Sequence, residues 1–444
     1  QKKKAVDLFL VFVRYGLYFG PLVFEDLAMK HKDLLTFILL ALILIFAFGL
    51  RRDAFWLPHW KGDQSHYAAL AMKLDKQGLD GYSLREVRLG VKIIPQDPKI
   101  ELIFCRPAVP GDEGDILRVL KIVGQGYYDE PLHYRAPLFS YVLMLSHRLF
   151  AGREEFYASC VSNLGEKVRS IKPEIVLRAQ FWAAVVPIFL NLCVIAMTFW
   201  FGWRFFGSRI GLWAAFLMAT NPVSIMLSYR LLVEDLLTFF ILLSAGLYLI
   251  FWKKKNYWGI FAAGIAAGLA ILSKQTAGLF LAAVWMYTFL TLRKEKSSIT
   301  NIFDLRFIVF AAVAFLVSGF WFWKVYSILG NPLHTPGSVN AGFSEDMTGW
   351  FRTVSQRPPP ILFFSLGVVF LSPLFAFAFL TLPKIGREQE GVRLMLWCWI
   401  LPYFIFATEA WQILELSAGQ EHRFFYMAYP AIAILAALGM DPIR

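Results

Sequence analysis

Apolar and polar positions in this chain are segregated into long blocks rather than alternating with a short period. Largely apolar runs occupy residues 33–50, 179–203, 210–229, 236–252, 258–272, 277–292, 307–326, 361–380, 394–408 and 424–440. About 20 apolar residues in a helix cross the hydrocarbon core of a bilayer. The pattern therefore predicts about ten transmembrane helices and an all-α polytopic membrane protein. An earlier apolar stretch, 8–24, carries Arg14 and is cut by Gly16, Gly20 and Pro21. It reads as an interfacial or re-entrant helix.

Three regions follow. Residues 1–50 hold this N-terminal segment and the first span. Residues 51–178 form a long, partly structured outer loop. Residues 179–444 form the remaining bundle with short outer loops. Within the long loop, 65–77 has helical periodicity, while 86–94 and 101–104 alternate like short strands. The apolar stretch 136–150 contains His147 and Arg148 and reads as a helix at or dipping into the interface.

Composition agrees with this pattern. Hydrophobic residues make up 58% of the chain and charged residues 17%, against roughly 45–50% and about 25% in soluble domains. A soluble globular or disordered chain is excluded. The formal net charge of +12 would suit nucleic acid, but its placement argues otherwise. Lys2, Lys3, Lys4, Lys30, Lys32, Arg204, Arg209, Lys253 to Lys255, Arg293, Lys294, Lys296, Lys384, Arg387 and Arg393 fall on one side of the predicted membrane. By the positive-inside rule that side is cytoplasmic, as is the N-terminus, and the charge is an orientation marker. The expected setting is a bacterial or archaeal plasma membrane rather than the endoplasmic reticulum. No nucleic-acid partner is expected. Cys105 and Cys160 lie in the outer loop, where a disulfide is chemically allowed but their spacing does not call for one. Cys193 and Cys398 lie in spans and read as packing residues.

Ionisable groups beside apolar segments are costly and mark function. Four places stand out, all on the predicted outer side. Asp63 follows the first span, where an acid also serves as a helix cap. Glu234 and Asp235 are adjacent acids flanked by leucines. Lys274 sits between two spans, where a lysine also snorkels to the interface. His422 and Arg423 immediately precede the last span, within reach of lipid headgroups. Together they bring acids and cations to one mouth of a helix bundle. Arginine suits phosphate because it offers a planar fork of donors that stays charged. Phosphate is already a good leaving group, whereas a hydroxyl acceptor needs a base, which one carboxylate can supply. Cations then stabilise charge on the departing phosphate. The chemistry fits a sugar carried on a lipid phosphate.

Five segments carry a family resemblance. They are Gly62-Asp63-Gln64-Ser65-His66-Tyr67-Ala68-Ala69, Tyr134-Arg135-Ala136-Pro137-Leu138-Phe139, and Leu232-Val233-Glu234-Asp235-Leu236-Leu237. The other two are Gly264 through Gly268 to Ser273-Lys274, and His422-Arg423-Phe424-Phe425-Tyr426-Met427-Ala428-Tyr429-Pro430. In this order the chain resembles the GT-C superfamily of membrane glycosyltransferases, in the branch of the protein O-mannosyltransferases and the lipid A aminoarabinose transferase. The resemblance implies a GT-C-like helix bundle, a site on the outer face, a polyprenyl-phosphate-linked sugar as donor, and inversion at the sugar carbon. By position, Asp63 is the expected general base, and Asp235 with Glu234 the second acidic site. Lys274, Arg423 and His422 are the expected donor-phosphate ligands. Tyr67, His66, Arg135 and Tyr426 are expected to line the substrate site. The acceptor is a hydroxyl of a lipid, a glycan or a protein, and residues 84–134 are expected to help select it. The family often has Asp-Glu where this chain has Asp63-Gln64. The loss of the second carboxylate leaves no cofactor assigned and the question of a divalent metal open. The histidines His59, His66 and His133 fit no familiar ligand spacing. The chain ends at Arg444, soon after the last predicted span, which leaves acceptor recognition to the loops or to a part beyond this sequence. The competing reading is a transporter or flippase of a lipid-linked glycan. It is disfavoured because no internal repeat is visible and the acids gather at one face.

Overall fold

The computed structural model describes residues 31–55, 67, 70, 71, 74, 87–93, 100–107, 136–150, 173–294, 304–329, 373–381, 390–414, 423 and 425–441. Asp63, His66, Arg135, His422, the 8–24 stretch and most of the 361–380 run fall outside these residues.

The described chain is a bundle of apolar helices. Helix α1 (His31–Gly49) runs into a 3-10 turn at Arg52–Phe55. An antiparallel hairpin follows, β1 (Val87–Ile93) with β2 (Ile100–Pro107), pairing Val87 with Pro107 and Ile93 with Ile100. Then come α2 (Leu138–Phe150), α3 (Pro173–Phe206), α4 (Ser208–Thr220), α5 (Pro222–Ser228), α6 (Glu234–Lys254) and α7 (Tyr257–Ser273). After a 3-10 turn at Gln275–Ala277 follow α8 (Gly278–Lys294), α9 (Leu305–Leu329), a 3-10 stretch Pro373–Thr381, α10 (Glu390–Leu414), a 3-10 turn Tyr426–Ala428 and α11 (Tyr429–Met440).

The protein is a membrane protein. Four segments are long and apolar enough to cross a bilayer: Ala184–Phe206, Glu234–Lys254, Gln275–Lys294 and Leu305–Ser327. Large apolar side chains face outward, as lipid contact requires. Leu316 is 79% exposed, Trp323 71% and Ile45 67%. The predicted run 210–229 is one span in sequence and two helices in space. Helices α4 and α5 meet at a 60° bend. Pro222 lacks an N–H and drives Asn221 into extended backbone at φ −63°, ψ 122°. The Asn221 side chain then caps α5 by accepting from Ser224 N at 2.9 Å.

Two other features set the packing. Gly207, at φ 100°, takes a backbone turn between α3 and α4 that other residues avoid. Helix α7 lays Gly264 and Gly268 against α9. A Cβ at Gly268 would stand 2.6 Å from Val317 Cβ, and one at Gly264 2.7 Å from Phe310 O. This small-residue spacing lets two membrane helices approach closely. At the opposite end of α6, Asn256 caps α7 through Trp258 N and Gly259 N at 3.0 and 3.3 Å.

The core divides in two. The larger part runs the length of the bundle. The smaller gathers Tyr67, Leu70, Ala71 and Leu74 with Phe139, Leu143, Val233, Leu236, Leu272 and Trp321. The 67, 70, 71, 74 spacing is one face of a helix, as the periodicity of 65–77 predicts. This second core surrounds the start of α6 and the end of α7.

Candidate functional site

The start of α6, the end of α7 and the approach to α11 meet at one end of the bundle. Their polar residues form two linked clusters.

The first centres on Glu234, the first residue of α6. Its side chain is 0% exposed. Lys274 Nζ donates to Glu234 Oε1 at 2.9 Å, and Arg423 Nε donates to the same oxygen. Lys274 closes α7 in extended backbone, at φ −158°, ψ 136°. This turns its side chain back toward α6 rather than along the helix axis. Lys274 and Arg423 keep 18% and 15% side-chain exposure. Both cations thus keep partial access to solvent while the acid they share has none. A helix N-terminus favours a carboxylate there, which helps Glu234 stay ionised away from water. Its other oxygen, Oε2, accepts no hydrogen bond among the described residues.

The second cluster centres on Asp235, 1% exposed. Successive residues of a helix point about 100° apart, so the adjacent acids serve different neighbours. Asp235 Oδ1 accepts from Asn191 Nδ2 at 2.7 Å and from Tyr426 OH at 2.8 Å. Asn191 in turn accepts from Arg51 Nε at 2.7 Å through its Oδ1. Arg51 is 0% exposed. It also donates to the carbonyls of Ala47 and Ala219, at 2.9 and 3.0 Å, and to Ser224 Oγ at 3.1 Å. The bend at Asn221 brings Ser224 into this network. One positive and one negative charge are buried together, bridged by an amide, with the ends of α1, α4 and α6 tied to the middle of α3. Such a cluster is tolerable inside a membrane protein only when its donors and acceptors are paired.

The clusters are joined twice through the chain, by the Glu234–Asp235 peptide and by the short stretch from Arg423 to Tyr426. Of the residues expected at the site from sequence, the structure brings Glu234, Lys274 and Arg423 into contact. Asp235 and Tyr426 belong to the network behind them. Tyr426 is fully buried, and its hydroxyl is engaged by Asp235, Asn191 and Ser224. Tyr67 is 4% exposed, and its ring meets Phe139 edge-on at 5.0 Å between centroids. Tyr67 packs within the second core beside the site. Asp63, His66, Arg135 and His422 lie outside the described residues.

Three network members, Arg51, Asn191 and Ser224, were not singled out from sequence. Arg51 reads as the first residue of the outer loop but folds back into the bundle. Asn191 is a lone amide within the run Pro187-Ile188-Phe189-Leu190-Asn191-Leu192, and an unprovoked amide in a span is the signal that marks it. No group of three or more His, Cys, Asp or Glu side chains converges among the described residues.

The family model of dolichyl-phosphate-mannose-protein mannosyltransferases matches residues 174–323. A protein of Aquifex aeolicus (strain VF5), described as uncharacterized, is 26% identical over 282 residues, 62% of this chain and 51% of that protein. ArnT from Cupriavidus metallidurans, solved with undecaprenyl phosphate, superposes with a TM-score of 0.55 at 15% identity, over 94% of this chain and 61% of that one. The oligosaccharyltransferase AglB from Archaeoglobus fulgidus, solved with an inhibitory peptide and a dolichol-phosphate, superposes at 0.51 and 12% identity, over 92% and 50%. The chain spans about half the length of the curated relative and less than two thirds of the solved ones.

Proposed function

Since the chain carries the fold of the GT-C superfamily of membrane glycosyltransferases, we propose that it transfers a sugar from a polyprenyl-phosphate carrier to a hydroxyl acceptor. The observation that carries this reading is the convergence of Lys274 and Arg423, from distant parts of the chain, at one mouth of the bundle. Two partly exposed cations brought together match a lipid phosphate at the membrane interface.

In this reaction the acceptor oxygen attacks the anomeric carbon, the bond from that carbon to the phosphate oxygen breaks, and the phosphate leaves with the electron pair. The configuration inverts. Lys274 and Arg423 stabilise the charge gathering on the leaving phosphate. Asp63 takes the acceptor proton. It precedes Tyr67 by four residues, and Tyr67 is held in the apolar core that flanks Glu234 and Lys274. The site faces the outer side of the membrane, because the basic residues between the spans mark the opposite side as cytoplasmic.

The test is Asp63→Asn in a transfer assay with a radiolabelled polyprenyl-phosphate sugar. Transfer is expected to fall at least about 100-fold, the usual contribution of a positioned base. Full retained turnover would remove Asp63 from the role.

A further inference from the structure

Glu234 is difficult to assign as a substrate contact. Its side chain has 0% exposure, and the oxygen that accepts from Lys274 also accepts from Arg423. A sugar or acceptor hydroxyl reaching that oxygen would have to displace both cations first. An anion reaching Lys274 and Arg423 meets cations already partly neutralised by Glu234.

We infer that Glu234 is the resident counter-anion of the phosphate-binding pair. It holds Lys274 and Arg423 in place while no anion is bound, and it weakens their grip on the polyprenyl phosphate left after transfer. The inference rests on the reading of Lys274 and Arg423 as phosphate ligands. Its physical content is Coulombic. A carboxylate within a few ångströms of the phosphate opposes it by an amount that is large at the effective dielectric of a protein edge. Without Glu234 the pair would bind the spent carrier tightly and release it slowly. With it, the ordering of the two side chains is complete before the lipid arrives. Glu234 therefore sets affinity and release and takes no part in bond making.

The experiment measures binding of undecaprenyl phosphate, inorganic phosphate and phosphatidylglycerol to the purified full chain, wild type and Glu234→Gln. Glu234→Gln is expected to bind undecaprenyl phosphate about tenfold or more tightly, and product inhibition by the same lipid is expected to rise with it. An equal gain for inorganic phosphate identifies the phosphate group alone as what is recognised. A gain confined to undecaprenyl phosphate assigns the prenyl chain a share. An equal gain for phosphatidylglycerol overturns the inference, because it marks general attraction to anionic lipid. Weaker or unchanged binding of undecaprenyl phosphate overturns it too.

Should Glu234→Gln fail to fold, Glu234→Asp keeps the charge but draws it one methylene back from both cations. A tightening of several-fold is then expected, and no tightening overturns the inference. Lys274→Gln separates the two levels of the argument. If the wild type binds undecaprenyl phosphate and Lys274→Gln weakens it while Glu234→Gln does not tighten it, the phosphate site stands and the role of Glu234 falls. If the wild type does not bind the lipid, both fall.

Discussion

Helix α8 is preceded by Lys274 and closed by Lys294, and both lysines face a glutamate. Lys294 meets Glu390 with side chains 56% and 34% exposed. Lys274 meets Glu234 with 18% and 0%. At the Lys294 end of the bundle three ion pairs each join one cation to one acid. Asp304 accepts from Arg306 Nε and Nη2 at 2.8 and 2.9 Å, and the guanidinium lies 3.5 Å from the centroid of Trp252. Arg209 meets Asp441 at 3.3 Å. At the Lys274 end two cations share one buried carboxylate, and a second buried acid is held behind it. An exposed pair such as Lys294–Glu390 contributes little energy. A buried ionic cluster costs stability unless its groups are well paired, and a membrane chain retains one where it serves function.

This contrast can be broken by removing charges from each end. The largest effect is expected for Lys274→Gln combined with Arg423→Gln. Transfer from a polyprenyl-phosphate sugar should fall about 100- to 1,000-fold, while Lys294→Gln leaves the rate unchanged in the same assay. Equal losses at both ends would mean that the contrast reflects stability alone.

Next comes Arg51→Leu, which leaves Asp235 buried without its countercharge. A loss of about 3–5 kcal/mol is expected, read as a lowered thermal midpoint in detergent. A midpoint unchanged from wild type would show that Asp235 does not depend on Arg51. A smaller loss, about 1–3 kcal/mol, is expected for Gly268→Ala between the two ends, because its Cβ would press into Val317 and Ala314 of α9. The smallest is Lys294→Gln, within about 0.5 kcal/mol in the same thermal measurement. A Lys294→Gln loss as large as that of Arg51→Leu would erase the distinction between the ends.

Much of the frame was legible in the sequence, for definite reasons. A bilayer demands long apolar helices, so apolar block length alone located α6, α7, α8 and α9, and the C-terminal end of α3, to within a few residues. The strand-like alternation at 86–94 and 101–104 reappears as the β1–β2 hairpin. Glu234, Lys274 and Arg423 stood out because each interrupts apolar sequence at the end of a run. Their shared destination was readable from their placement on one side.

Other features were not legible. The bend inside 210–229 depends on Asn221 and Pro222, and hydropathy is blind to both. Arg51 reads as a loop residue because sequence shows only where the apolar run stops. Its side chain finds acceptors on α1, α3, α4 and α5 only after those elements assemble. Glu234 and Asp235 form one acidic motif in sequence, whereas the helical turn between them sends one to the cations and the other to Asn191 and Tyr426.

The sequence by itself determined that this chain lives in a membrane, where its helices run, and which polar residues are too costly to be incidental. Each of these follows from local hydrophobicity and from the expense of charge in hydrocarbon. Tertiary structure decided which acid faces which cation, that Arg51 and Asn191 stand behind the site, and that Glu234 lies beneath two cations. Those outcomes depend on side-chain direction and on contacts between segments as far apart as Glu234 and Arg423, which are fixed only when the bundle closes.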